Sequence, residues 1–320
     1  MNKKFIVFTG DPNSINSELL YKCWKKLDNN TKKNTFLITN FNLLKSQFKK
    51  QKYKLKIIKV KSINESLNRN ILKVIDVKIN FNHPFKVKKS SATNFVVNSL
   101  NLLHKFGLDK KVAGIINLPI SKNLLPKKNI GVTEYLASKC KIKRNSEAML
   151  IKNDRFSVCP ISTHIDIKKV SKKISQKLIL NKVITVQKFL KKSLKRNPKI
   201  GLLGLNPHNA ELRKESEERK IIIPAIKKLN MKGLNVKGPL VADTVFIEDY
   251  KNFDVIFGMY HDQVLTPFKT LYKFNAINIT LGLSYIRVSP DHGVAKNLIG
   301  KNKADVTSVK KCFDFIKRLK

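Results

Sequence analysis

A chain of 320 residues with 42% hydrophobic residues is long enough to bury two cores, and its 27% charged residues and single tryptophan fit a globular protein, not a disordered or fibrous one. The net charge of +43 points first to a polyanion, yet arginine supplies only eight of the 65 basic residues and the lysines run along the whole chain. Specific nucleic-acid surfaces cluster the arginine fork, so no specific nucleic-acid partner is expected, while a basic surface still suits anionic small molecules.

The chain opens as strand, turn and helix. Phe5 to Phe8 is a short apolar strand, Gly10-Asp11-Pro12-Asn13-Ser14 a turn, and Leu19, Leu20, Cys23, Trp24 and Leu27 a helical stripe with Glu18 in its first turn. Phe5 to Phe8 is too short for a signal-peptide core, and no uninterrupted apolar run of about 18 residues occurs elsewhere, which predicts a cytoplasmic protein with no membrane partner. Four scattered cysteines, Cys23, Cys140, Cys159 and Cys312, form no C-x-x-C pair and read as reduced, mostly buried side chains.

Thr35 to Ile38 and Leu55 to Val60 are further strands. Ser90 to Gly107 reads as a helix with Phe95, Val96, Leu100 and Leu103 on its apolar face, followed by the strand Val112 to Ile116. Another helix begins near Gly131-Val132-Thr133-Glu134, with Thr133 as a plausible cap. Ala148 to Ile151 and Phe156 to Ile161 are strands able to pair. Ile167 to Arg196 is mostly helical with a break near Asn181, and Ile200 to Leu205 returns to the sheet. Glu215, Glu217 and Glu218 read as ordinary N-terminal acids of the helix Ile221 to Leu229. A turn-rich stretch, Gly238 to Thr244, precedes the strand Val255 to Met259, with Asp243 either a charged site residue or a cap. Ile277 to Leu281 and a closing helix carrying Val306, Val309, Phe313 and Ile316 complete the chain. Strands alternating with helices, and no long linker, imply an α/β fold of two interwoven α/β/α domains.

Three of the apolar strands end near a histidine: His164 after Phe156 to Ile161, His208 after Ile200 to Leu205, and His261 after Val255 to Met259. A single histidine at a strand end is more often a hydrogen-bonded structural residue than a ligand. Parallel strands, however, deliver their loops to one edge, where three distant imidazoles can converge on a metal. By ligand type, three imidazoles suit zinc, cobalt or nickel.

Asn206-Pro207-His208, Gly238-Pro239-Leu240 with Ala242-Asp243-Thr244, Tyr260-His261-Asp262-Gln263, Asn278 to Leu283 and Ser289-Pro290-Asp291-His292-Gly293 occur in an order and spacing that resembles the 4-hydroxythreonine-4-phosphate dehydrogenase family of pyridoxal phosphate biosynthesis, over essentially the full length. The resemblance implies an isocitrate and isopropylmalate dehydrogenase-like fold with the active site in a cleft between two domains, here 1–125 plus 280–320 and 126–279. It implies a homodimer with a shared active site, in which His164 and His208 of one chain and His261 of the other hold a divalent metal such as zinc, magnesium or cobalt.

The implied reaction is NAD- or NADP-dependent oxidation of a small phosphorylated substrate, 4-phosphooxy-L-threonine. The resulting 2-amino-3-oxo-4-phosphooxybutanoate decarboxylates to 3-amino-2-oxopropyl phosphate. Substrate contacts carry over to Thr133, Lys269, Asn278 and Arg287. No G-x-G-x-x-G occurs, so a Rossmann site is unsupported. The resemblance instead puts the adenosine end of the cofactor at Asp291, His292, Gly293 and Gly300 with Lys301, although Lys296 and Asn297 replace the family's usual acid and apolar pair.

Three further departures stand out. The family writes Gly-His-Thr-Glu where this chain has Gly131-Val132-Thr133-Glu134, so a histidine that normally touches substrate is a valine unable to hydrogen-bond. The glycine-rich opening has become Gly10-Asp11-Pro12-Asn13-Ser14-Ile15-Asn16-Ser17-Glu18, with asparagine expected to tolerate left-handed backbone. Asn209-Ala210 replaces Ala-Gly after His208. The alternative activity is a dehydrogenase acting on another four-carbon phosphorylated acid, such as threonate or erythronate 4-phosphate. From a different class, the alternative is a non-catalytic basic binding protein.

Overall fold

The structure is a computed structural model and describes residues 3–65, 71–126, 131–142 and 146–319. In chain order the elements are β1 (Lys4–Phe8), α1 (Asn16–Lys26), α2 (Asn29–Lys33), β2 (Thr35–Thr39), α3 (Phe41–Lys50), β3 (Ile57–Lys59), β4 (Leu72–Asp76), α4 (Lys89–Gly107), β5 (Val112–Asn117) and α5 (Val132–Lys139). They continue as β6 (Ala148–Lys152), β7 (Ser157–Pro160), α6 (Val170–Lys173), α7 (Gln176–Leu194), β8 (Lys199–Leu203), α8 (Ile223–Met231), β9 (Asn235–Leu240), β10 (Val255–Gly258), α9 (His261–Tyr272), β11 (Ile277–Leu281), β12 (Arg287–Pro290) and α10 (Thr307–Arg318). The chain divides into two compact α/β units, Met1–Cys140 with Leu283–Lys320, and Lys141–Gly282. Helix α5 therefore goes with the first unit, because Tyr135 and Leu136 join that unit's apolar cluster.

In the first unit the strands run β3-β4-β2-β1-β5-β12, and the pairings of these neighbours are parallel. A parallel sheet is covered on both faces, which is why Phe5 to Phe8 and Phe36 to Ile38 are uninterrupted apolar runs, all buried. Phe95, Val96, Leu100 and Leu103 of α4 pack into a cluster with Ile6, Phe8 and Phe36. Each such side chain contributes about 1.5–3 kcal/mol by leaving water. The ring of Phe313 in α10 lies 5.7 Å from that of Phe5.

In the second unit the order is β11-β6-β7-β10-β8-β9. The hairpin partners β6 and β7 pair antiparallel, as does β11 with β6, whereas β7–β10, β10–β8 and β8–β9 are parallel. The C-terminal ends of β7, β10 and β8 therefore emerge side by side at one sheet edge. Phe156 anchors the core beneath them, with the rings of Tyr250 at 5.3 Å and Phe268 at 6.1 Å.

The expected break at Asn181 is absent: α7 is continuous, and the interruption falls at Ile174-Ser175, where Ser175 Oγ accepts the Leu178 N–H at 3.2 Å. An asparagine within a helix costs only a fraction of a kcal/mol, while a serine cap resets the chain. Gly238-Pro239-Leu240, read as turn, forms the end of β9 across a cis Gly238–Pro239 bond. Among the described residues no helix is long and apolar enough to cross a membrane.

Candidate active site

The three strand ends of the second unit are laced together by side chains. After β7, the N–H and Oγ of Ser162 donate to the Met259 carbonyl at 3.1 and 2.6 Å. Gln263 accepts the Met259 N–H at 2.7 Å through Oε1 and donates through Nε2 to the Gly204 carbonyl at 2.8 Å, so one amide joins the ends of β10 and β8. These ties bring the His164 and His261 rings to 5.5 Å between centroids. His261 is the first residue of α9, not part of a loop, and its Nδ1 lies 2.7 Å from Asp262 Oδ1.

His208 is placed differently. Residues 208–212 all have positive φ, between 47° and 56°, a left-handed turn without a glycine. Each L-residue there costs roughly 1–2 kcal/mol, least for asparagine. Asn209 anchors the turn by donating Nδ2 to the Pro239 carbonyl at 3.0 Å. The His208 imidazole projects outward, with Nε2 3.7 Å from Asp243 Oδ2 and Nδ1 3.7 Å from Glu211 Oε1. Asp243 thus stands beside one of the three candidate histidines.

The donor chemistry fits a divalent cation, since imidazoles with adjoining carboxylates sit on adjacent strand ends. Two of the three histidines meet, and the third pairs with Asp243. Among the described residues no group of three or more histidine, cysteine, aspartate or glutamate side chains is close enough to hold a metal ion.

Glu218, which reads in sequence as a routine N-terminal acid, is fully buried and supports the loop before His208. Its Oε1 accepts the backbone N–H groups of Leu205 and Asn206, both at 2.8 Å, and the Asn206 amide donates to Oε2 at 3.1 Å. Burial alone would raise this carboxyl, but the hydrogen bonds from Asn206 and Leu205 outweigh it and hold the pKa below the usual glutamate value. The only cue in sequence was an acid 12 and 13 residues after the pair it serves.

The first unit holds a polar cluster of its own side chains. Arg287 opens β12 with only 3% of its surface exposed, donates Nε to Asn117 Oδ1 at 2.6 Å, and lies with Nη1 3.4 Å from Thr133 Oγ1. Burial pushes the guanidinium down to about 10, with Cys312, Glu134 and Tyr285 offsetting only part of that effect. Thr133 is therefore not a cap; Gly131 occupies that position and Thr133 turns its hydroxyl to Arg287. Val132 packs against the apolar cluster of α4 and the sheet.

The remaining predicted residues are dispersed. Lys269 is half-buried on α9, and Asn278 lies on β11 opposite Ile151 with a buried Oδ1 that has no hydrogen-bond partner among the described residues. Beyond β12, the buried Asp291 donates its N–H to Ser308 Oγ at 2.9 Å, His292 Nδ1 lies 3.1 Å from the Gly293 carbonyl, and Gly293 and Gly300 face open space. In the opening loop Gly10 has φ +74°, and a Cβ there would meet the Pro119 carbonyl at 2.4 Å. Asn13 and Asn16 have no left-handed backbone to tolerate; they hydrogen-bond instead, Asn13 to the Val87 carbonyl and Asn16 to those of Thr9 and Pro119.

Residues 31–316 match the family described as pyridoxal phosphate biosynthetic protein PdxA. A 4-hydroxythreonine-4-phosphate dehydrogenase of Sulfurihydrogenibium sp. is 36% identical over 314 residues, spanning 95% of this chain and 94% of its own. The crystal structure of 4-hydroxythreonine-4-phosphate dehydrogenase from Klebsiella pneumoniae superposes with a TM-score of 0.84 at 25% identity, covering 99% of each chain. The isocitrate dehydrogenase of Methylococcus capsulatus, at 10% identity and a TM-score of 0.50 over 98% of this chain and 84% of its own, shares the fold.

Proposed function

The chain belongs to the PdxA family of pyridoxal phosphate biosynthetic proteins, and from that membership we propose that it oxidises 4-phosphooxy-L-threonine with NAD or NADP to 2-amino-3-oxo-4-phosphooxybutanoate, which decarboxylates to 3-amino-2-oxopropyl phosphate. The observation that carries this proposal is the convergence of β7, β10 and β8, with His164, His261 and His208 just beyond their ends, in a chain matching that family. When bound at these histidines, a divalent cation such as zinc, magnesium or cobalt supplies Lewis acidity to the substrate hydroxyl, and the nicotinamide accepts the hydride.

The chain's own groups do the holding. Arg287 offers a buried fork, charged at neutral pH and suited to a phosphate or carboxylate, with the Thr133 hydroxyl beside it. Lys269 adds a second cationic donor, and the Asn278 carbonyl oxygen an acceptor for a substrate hydroxyl or ammonium. Asp291, His292, Gly293 and Gly300 line the loop assigned to the cofactor; its open glycines leave room for a ligand against the backbone.

A homodimer with a shared active site completes the proposal. Ile167, Leu212 and Ile247 expose large apolar surface, and each lies within a few residues of His164, His208 or Asp243. Exposed apolar side chains rimming a site suit a protein interface, and a second copy placed there would bring additional imidazoles. Four free cysteines fit the reducing cytoplasm.

The test is to incubate the purified protein with 4-phosphooxy-L-threonine, NAD or NADP and each of zinc, magnesium and cobalt, following reduced nicotinamide. Turnover that stops on chelation is expected; no turnover under any of these conditions overturns the proposal.

A further inference from the structure

We propose that Glu18 and Lys22 of α1 are positioning residues for the cofactor: they clasp residues 302–304 and so hold the preceding Gly300-Lys301 backbone ready for the adenosine end of the nicotinamide dinucleotide. This rests on the function proposed above, which assigns the loop between β12 and α10 to that cofactor. Helix and loop belong to the same unit.

One side of α1 meets the loop at both of its ends. Ile15, Glu18 and Lys22 are spaced i, i+3 and i+7, which lines them up along the helix. The Ile15 N–H donates to the Val294 carbonyl at 3.3 Å. Further along the loop, Glu18 Oε1 accepts the Ala304 N–H at 2.7 Å, and Lys22 Nζ donates to the Asn302 and Ala304 carbonyls at 2.8 and 3.3 Å. Lys22 also donates to Glu18 Oε1 at 2.8 Å, so all three N–H bonds of its ammonium are used. The Asn302 side chain is held as well: its Oδ1 accepts the Tyr53 hydroxyl at 3.1 Å, and the Tyr53 ring stacks on that of Tyr21 in α1 at 4.1 Å.

An acid that only complemented the helix dipole could remain in water. Glu18 is instead fully buried, and its Oε2 has no hydrogen-bond partner among the described residues, so the carboxylate acts through one oxygen, on a chain segment 286 positions away. What the clasp steadies is bare backbone. Gly300 has φ +79°, and a Cβ there would meet nothing within 4 Å, which lets a ligand approach the main chain closely. Lys301 beside it is exposed and suits the phosphates of a dinucleotide. A loop ordered before binding spares the ligand the cost of ordering it.

The test titrates reduced NAD and reduced NADP, followed by nicotinamide fluorescence, into full-length wild type, Glu18→Ala, Glu18→Gln, Lys22→Met and, as a control for lost charge, Lys45→Met on the exposed side of α3. Thermal midpoints and the KM values for cofactor and 4-phosphooxy-L-threonine are read beside it. If the clasp serves only the fold, midpoints fall while the folded variants bind cofactor as wild type does. The proposal predicts that Lys22→Met and Glu18→Ala weaken cofactor binding about tenfold or more, the scale of a lost hydrogen bond to a charged group, with the substrate KM unchanged. Glu18→Gln keeps an oxygen for both donors and stays within about threefold of wild type. Lys45→Met binds cofactor normally. Should Glu18→Ala fail to fold, Lys22→Met decides, because its side chain is partly exposed.

Wild-type cofactor affinity in Lys22→Met overturns the inference, as does an equal loss in Lys45→Met, which would make the effect one of net charge. A wild type that binds neither cofactor defeats both readings. One that binds cofactor but turns over no 4-phosphooxy-L-threonine defeats the proposed function alone, and the binding series still decides the clasp.

Discussion

Replacing Glu218 by alanine tests whether the His208 loop is held from beneath. The carboxylate accepts two backbone N–H groups at 2.8 Å and the Asn206 side chain at 3.1 Å from a fully buried position. A hydrogen bond to a charged group contributes about 1.5–3 kcal/mol, and three that share one carboxylate are not additive, so Glu218→Ala is expected to cost about 3–4 kcal/mol. That is a large share of the 5–15 kcal/mol typical of a folded protein. Glu218→Gln keeps an oxygen for the backbone but turns an NH2 toward the Asn206 amide, and should cost about half as much.

The pH dependence carries a sign. Because the folded carboxyl is held below its ordinary value, its contribution is complete above the unfolded pKa of about 4.3 and is lost as pH falls through the folded one. Urea denaturation of wild type and both variants at neutral and acidic pH measures this. The wild type should lose its advantage over Glu218→Gln as the solution is acidified. A loss below about 1 kcal/mol in Glu218→Ala, with metal binding unchanged, refutes the reasoning.

His208→Ala should reduce bound divalent metal, measured by elemental analysis of protein purified without chelator, and should abolish turnover. Lys195 ends α7 with φ 57° and ψ 20°, so Lys195→Gly should raise stability by about 0.5–1 kcal/mol in denaturant titration by relieving a left-handed Cβ. A Cβ at Gly107 would come within 2.8 Å of the Tyr285 ring, and Gly107→Ala should cost about 1–3 kcal/mol. It should also raise the substrate KM, because Tyr285 leads into Arg287.

Nine of the strands were legible because a buried parallel strand is apolar on both faces, and β7, β8 and β10 advertise themselves that way, whereas β4, β9 and β12, which carry Lys73, Gly238-Pro239 and Arg287, were not read as strands. The histidines beyond β7, β8 and β10 were legible for the same reason, as polar residues just past apolar runs. Glu218 was not, since its role depends on where the chain returns after the 208–212 turn, and that turn has no glycine to announce left-handed backbone. The pairing of Thr133 and Asn117 with Arg287 was hidden in another way, because Arg287 lies 154 and 170 positions from them. The break expected at Asn181 belongs at Ser175, whose hydroxyl caps α7 and was not singled out in the sequence.

The first unit is interrupted in sequence, leaving at Cys140 and resuming at Leu283, while the second is contiguous. A ribosome therefore finishes the histidine-bearing unit before the first unit receives its final strand. During that interval β5 is an unpaired edge carrying Asn117, and α5 holds Thr133, both awaiting an arginine not yet translated. Domains fold as units during synthesis, so the anchor proposed for the substrate's charge forms only after the second unit has been made. A nascent chain released before residue 287 would carry every imidazole of the proposed metal site yet lack that anchor.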